Sequence, residues 1–141
     1  MKIIHIESEA EAKQCFPIMQ ILRPKLDEEE FLKRFTAQKK ENYQLIACVD
    51  EMTDVSALAG FRILNYMAWG KILYVDDLVT DPKKKRKGFG GALLGWMQKK
   101  AKEEGCDEIH LDTGYTRQDA HRLYLNKGFE LSSHHLSMKL S

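Results

Sequence analysis

The stretch from Ile72 to Lys102 constrains this chain more than any other. An apolar run, Ile72 to Val79, reads as a buried strand. Asp81-Pro82 ends it, because proline cannot keep donating to a β-ladder. Five consecutive cations follow, Lys83 to Lys87, then three glycines in four positions, Gly88-Phe89-Gly90-Gly91, and an apolar-periodic helix from about Gly90 to Lys102. A strand, a basic glycine-rich loop and a helix start together form a phosphate site. Glycines let the backbone approach the anion, the helix's first amides lack partners, and the macrodipole favours negative charge there. The segment is expected to hold a phosphorylated ligand.

Two familiar phosphate motifs do not fit. A Walker A loop needs a Gly-Lys-Ser/Thr that this chain lacks, and a dinucleotide fingerprint needs a third glycine where Leu93 stands. The run Lys85-Arg86-Lys87-Gly88-Phe89-Gly90 instead resembles the pyrophosphate loop of the GNAT superfamily of acyl-CoA-dependent N-acyltransferases, Gln/Arg-x-x-Gly-x-Gly/Ala, with Lys85 standing where the family usually has Gln or Arg. A second segment, Ala120-His121-Arg122-Leu123-Tyr124-Leu125-Asn126-Lys127-Gly128-Phe129, is similar to the family's late helix and its exit. Ala120 and Tyr124 are four apart and share a helix face, and Gly128 suits a left-handed residue ending that helix. A third, Val75-Asp76-Asp77-Leu78-Val79, resembles the acidic pair that precedes the loop in that family.

The resemblance implies a fold, a reaction and a set of roles. The fold is α/β (α+β), one domain over residues 1–141, with a mixed, mostly antiparallel sheet flanked by about four helices. The reaction is direct acetyl transfer, in a ternary complex, from acetyl-CoA to a primary amine of a small molecule or protein. Pyrophosphate falls to the turn of Lys85, Arg86, Lys87, Gly88, Phe89, Gly90 and Gly91, and the pantetheine arm to the backbone of Leu78 and Val79, with Ala120 and Tyr124 completing the cofactor side. Tyr124 matches the family's general acid, and Asp76 and Asp77 match acidic positions used as a base directly or through water; Tyr74 is a weaker candidate on the same strand.

The chemistry asks for these groups. An alkylammonium has a pKa of about 10.4, so freeing its lone pair at pH 7 costs about 4–5 kcal/mol, which a base, a relay water or desolvation must lower. The developing oxyanion needs a preorganised donor. A phenol stays protonated at neutral pH and can donate to the departing thiolate.

Composition excludes other classes. A net charge of +1 argues against nucleic acid as the main partner, although the Lys83–Lys87 run alone would admit a basic nucleic-acid-binding module or a targeting signal. Three cysteines, Cys15, Cys48 and Cys106, are too far apart for a zinc or disulfide pattern, so no metal is expected and the thiols read as reduced, in a cytoplasmic protein. No apolar run approaches a membrane span. A homodimer is a common state for such folds. The competing reading is a non-catalytic acyl-CoA-binding or regulatory domain of the same fold.

The remaining elements follow from local signals. Lys2 to Glu7 reads as a strand, and Ser8-Glu9-Ala10-Glu11 as a capping box that starts a helix running to about Leu22, stopped by Pro24. Asp27 to Glu30 open a second helix, to about Lys40. Tyr43–Val49 and Ser56–Tyr66 form a hairpin around Asp50–Asp54, with Gly60 a bulge or close approach. Lys71 to Val79 is the central strand, and Ile109 to Asp112 a short one. Thr116 caps a late helix, Arg117 to Lys127, and two strands, Phe129–Leu131 and His134–Leu140, finish the sheet. Tyr43, Phe61, Arg62 and Tyr66 are the acceptor-pocket candidates, because members of the family often build that pocket on the early hairpin. His134-His135 divides between core and surface.

Overall fold

The computed structural model describes residues 1–85, 87–114 and 118–141. They form two compact units, Met1–His110 and Leu111–Ser141.

The first unit is a sheet with helices on both faces. Strand β1 (Lys2–Ile6) leads into α1 (Glu9–Leu22), where Ser8 Oγ accepts from the Glu11 amide at 3.1 Å and the Glu11 carboxylate accepts from the Ser8 amide at 3.0 Å. This is the expected capping box, and it satisfies two amides that the helix itself cannot. Pro17 sits inside α1, an unexpected place for a residue that removes a helical donor. Helix α2 (Glu28–Lys39) is capped by Asp27, whose carboxylate accepts from the Glu30 amide at 2.8 Å. Then come β2 (Tyr43–Val49), β3 (Val55–Tyr66) and β4 (Gly70–Thr80). Strands β1 to β4 pair antiparallel in chain order.

After β4, Pro82–Lys84 make one 3₁₀ turn, and α3 (Phe89–Glu103) begins at Gly88, at φ 81°. Glu104 and Gly105 end it, Gly105 at φ 74°. Strand β5 (Glu108–Leu111) lies next to β4, giving the order β1-β2-β3-β4-β5.

Two cores follow from strand alternation. Tyr43, Leu45, Ala47, Leu58 and Val79 pack with Ala12, Cys15 and Met19 of α1 and Phe31, Leu32 and Phe35 of α2. Alternate residues face the other way, where Phe61 packs on Trp96 of α3. Phe61 therefore lies on the α3 face of the sheet, which corrects the expectation that it lines an acceptor pocket with Tyr43. Tyr66 packs on Trp69, and Trp69 stacks on His110, with centroids 5.1 and 4.0 Å apart.

In the second unit α4 (Gln118–Asn126) ends at Gly128, at φ 95°. The Phe129 amide donates to Tyr124 O and the Gly128 amide to Leu125 O, and the Phe129 ring meets the Tyr124 ring edge-on at 5.9 Å. This is a complete Schellman motif, as the Gly128-Phe129 exit implied. The expected cap Thr116 and helix start Arg117 lie outside the described residues. Residues 129–141 carry no strand, so the two closing strands are corrected to chain without regular secondary structure. Their apolar residues Leu131, Leu136, Met138 and Leu140 are exposed, and β-alternation without a buried face does not make a strand. His134 and His135 are both exposed, which corrects the core-plus-surface expectation; His135 Nδ1 lies 3.5 Å from Asp112.

Candidate active site

The acidic pair owes its geometry to one irregularity. Between β3 and β4 the partners run Ala59↔Leu78, Gly60↔Asp77, then Phe61↔Val75. Asp76 is thus an extra residue with no partner on β3, a bulge on β4 opposite the Gly60–Phe61 step. In a regular strand Asp76 and Asp77 would point to opposite faces. The bulge turns both toward α1 and α2, where they line one cavity of about 450 Å³ with Met19, Arg23, Phe31, Phe35 and Tyr43.

Gly60 is the second part of this device. A Cβ on Gly60 would overlap the phenol of Tyr43. The Tyr43 hydroxyl occupies that space and donates to Asp77 Oδ2 at 2.8 Å. Of the bulge or close approach expected at Gly60, the close approach is present, and the bulged residue is Asp76 on the facing strand.

Each carboxylate also has a guanidinium. Arg23, the residue that closes α1, donates to Asp77 Oδ1 from Nε at 3.1 Å and from Nη2 at 2.9 Å. It also donates to the Asp76 carbonyl at 3.0 Å. Arg62 grips Asp76 with both arms, Nε to Oδ2 at 2.9 Å and Nη2 to Oδ1 at 2.7 Å. The Asp76 and Asp77 side chains are 15% and 12% exposed, so these pairs are largely shielded from water. Burial pushes the Asp76 carboxyl above its ordinary value, the Arg62 fork opposing part of that rise. Burial and the neighbouring Asp77 charge hold the Tyr43 phenol well above its usual value, so it stays protonated and donates to Asp77. Tyr74, the weaker candidate, lies under the Arg62 guanidinium, 5.8 Å from ring centroid to Cζ.

The glycine turn has the predicted form. Gly88 adopts the left-handed conformation, no side chain caps the helix, and the first backbone bond of α3 runs from the Ala92 amide to Gly88 O. The amides of Phe89, Gly90 and Gly91 therefore precede the helical ladder and have no intrahelical acceptor. Lys83, Lys85 and Lys87 are exposed and, among the described residues, form no ion pair. Lys84 is diverted: its ammonium meets Asp50 at 2.6 Å and Ser56 Oγ at 3.2 Å, tying the loop to the β2–β3 hairpin. Arg86 lies outside the described residues. Leu78 and Val79 are buried in β4. Ala120 and Tyr124 lie on α4 in the second unit, Tyr124 with 7% of its surface exposed.

The structure thus gathers Asp76, Asp77 and Tyr43 at one cavity, with Arg62 bonded to Asp76. Arg23 and the lining from α2 carried no local sequence signal, because Arg23 meets Asp77 across 54 positions and only the fold shows the pairing.

A model of the acetyltransferase (GNAT) family matches residues 8–129. The chain belongs to that family. The uncharacterized N-acetyltransferase YhdJ of Bacillus subtilis (strain 168) is 36% identical over 137 residues, 94% of this chain and 96% of its own. The aminoalkylphosphonate N-acetyltransferase of Salmonella typhimurium is 29% identical over 118 residues, 82% of this chain and 75% of its own. Among solved structures, a transcriptional regulator from Bacillus halodurans C-125 superposes with a TM-score of 0.86 at 23% identity, covering 99% of each chain; that likeness shows the fold alone. This GNAT chain is an N-acetyltransferase with the α/β fold that its motifs implied.

Proposed function

We propose that this GNAT enzyme transfers acetyl from acetyl-CoA to a primary amine held in the cavity between α1, α2 and β4. The observation that carries this reading is the β4 bulge, which aims two shielded carboxylates into a space of small-molecule size. A carboxylate beside an ammonium stabilises it and can take its proton, directly or through one water. Of the two, Asp76 is the proton acceptor in this reading, since burial already raises its proton affinity. Asp77, fixed by Tyr43 and Arg23, orients the amine.

On the cofactor side the residues present fit a CoA pyrophosphate. A left-handed Gly88 with nothing within 4 Å of an added Cβ, first-turn amides without an intrahelical acceptor and three lysines that form no ion pair among the described residues offer backbone donors and positive charge at a helix N-terminus. Acetyl-CoA, when bound, supplies the activated acetyl group. In this reading the backbone of Leu78 and Val79 holds the pantetheine arm and the Tyr124 hydroxyl donates a proton to the leaving sulfur. The acceptors open to it include the aminoalkylphosphonate class named for the Salmonella relative.

The test pairs binding with turnover. Acetyl-CoA should raise the melting temperature of the wild type by mass action, and CoA release should depend on an added amine. Gly88→Glu places a like charge in the turn and should abolish most of both. Equal thermal shifts in the two proteins would remove the pyrophosphate from this turn.

A further inference from the structure

The charges around the acceptor cavity are already balanced. Asp77 is matched by Arg23, Asp76 by Arg62, and on the α2 wall Glu30 by Arg34, 3.0 Å apart. An ammonium entering here meets no surplus negative charge, and a polycation meets two guanidinium groups. Hydrogen-bonding capacity also remains on the guanidinium groups. The described bonds of Arg34 use Nε alone, and those of Arg23 use Nε and Nη2, out of five N–H donors on each group. Both side chains line the cavity, and both remain partly open to water, Arg23 47% and Arg34 61% exposed, within reach of an incoming ligand. All four oxygens of Asp76 and Asp77 already accept a bond. The cavity therefore has donors to spare at its Arg end, beside a compensated carboxylate floor.

We propose that the acceptor is a small zwitterion, a primary amine bearing a carboxylate or phosphonate, whose anionic end is taken by Arg34 and the unspent edge of Arg23 while its amine lies against Asp76 and Asp77. The proposal rests on the acceptor-site reading above. Arg34 is the specificity residue: it touches neither carboxylate of the pair, whereas Arg23 also fixes Asp77. Guanidinium forks suit such planar or tetrahedral anions. Apolar walls from Phe31 and Phe35 cover the chain between the two charged ends.

The experiment compares by CoA release three acceptors of matched length, 3-aminopropylphosphonate, 4-aminobutyrate and butylamine, and the longer polycation spermidine. The two zwitterions should exceed butylamine in kcat/KM by about tenfold or more, which is about 1.4 kcal/mol. Arg34→Gln should raise KM for the zwitterions by about tenfold and bring the ratio to butylamine near one, with Arg34→Lys recovering part of it. A preference for butylamine or spermidine overturns the proposal, as does a ratio unmoved by Arg34→Gln in a variant that melts like the wild type. A second readout separates this proposal from the transfer reading. With CoA present, 3-aminopropylphosphonate should raise the melting temperature of the wild type more than that of Arg34→Gln. If that difference is seen but no amine is acetylated, the zwitterion site stands and the transfer reading falls; if butylamine is the better acceptor, only the zwitterion proposal falls.

Discussion

Gly60 gives the sharpest test of how the site is built. Gly60→Ala adds one methyl group whose carbon would meet the hydroxyl, Cζ and Cε1 of Tyr43. Tyr43 is 5% exposed and sits in the α1–α2 core, so the ring has little room to withdraw. Overpacking of this kind costs about 1–3 kcal/mol. Unfolding entropy of about 2.1 cal/mol/K per residue, over a chain of this length, converts this to a fall in Tm of about 3–10 °C. The ring that shifts is the one that donates to Asp77, so KM for the amine should rise as well. A double-mutant cycle isolates the contact. Tyr43→Ala removes the ring, at a cost of about 3–5 kcal/mol, as for other large aromatic truncations. In that background Gly60→Ala should cost less than about 0.5 kcal/mol, because the space is now empty. Tyr43→Phe should not rescue it, since Cζ and Cε1 remain. The assay is urea or thermal unfolding of the four proteins of the cycle, with the Phe variants beside them. An equal penalty for Gly60→Ala with and without the Tyr43 ring would falsify the close approach as the reason for glycine here.

Two further outcomes are expected. Glu11 has its carboxyl held below its ordinary value of 4.5 by the Ser8 and Glu7 amides that donate to it, so its contribution is present above that value and lost as pH falls through the lower folded value. Glu11→Gln should therefore melt below the wild type at pH 7, and the gap should close as melts are repeated down to pH 3; a gap constant with pH would mean the charge contributes nothing. Tyr124→Phe should lower kcat about a hundredfold, the low end of a general-acid contribution, with acetyl-CoA affinity little changed. An unchanged kcat in a folded variant, under conditions where chemistry limits turnover, would make Tyr124 a packing residue.

Local chemistry was legible wherever the determinants are close in the chain. Ser8 and Glu11 are three apart and cap α1; Gly128 and Phe129 follow Tyr124 and Leu125 and close α4; Asp81-Pro82 and Gly88 bound the turn before α3. Each rests on backbone geometry that a few residues settle by themselves. The limits appear where partners are distant. Lys84 belonged to a run of five cations, yet Asp50, 34 positions away, claims it. Leu136, Met138 and Leu140 alternate as a strand would, but a strand needs a neighbour, which sequence alternation does not supply.

The acidic pair shows why the site itself stood between these cases. Its residues were legible, but their shared direction was not, because ordinary alternation places Asp76 and Asp77 on opposite faces. Register decides the outcome. Tyr43 lies opposite Arg62 on β2 and β3, Arg62 opposite Tyr74, and Gly60 opposite Asp77. Those pairings set the phenol, the missing side chain, the guanidinium and one carboxylate on a single face, and the bulge adds the second carboxylate to it. A slip of one residue between β3 and β4 would turn Asp77 toward α3 and leave its charge buried without Arg23 or Tyr43, at a cost of several kcal/mol. The bare Gly60 position that admits the Tyr43 ring therefore also selects the register in which both carboxylates face the α1–α2 cavity. Fold specificity and the chemistry of the site rest on the same contact.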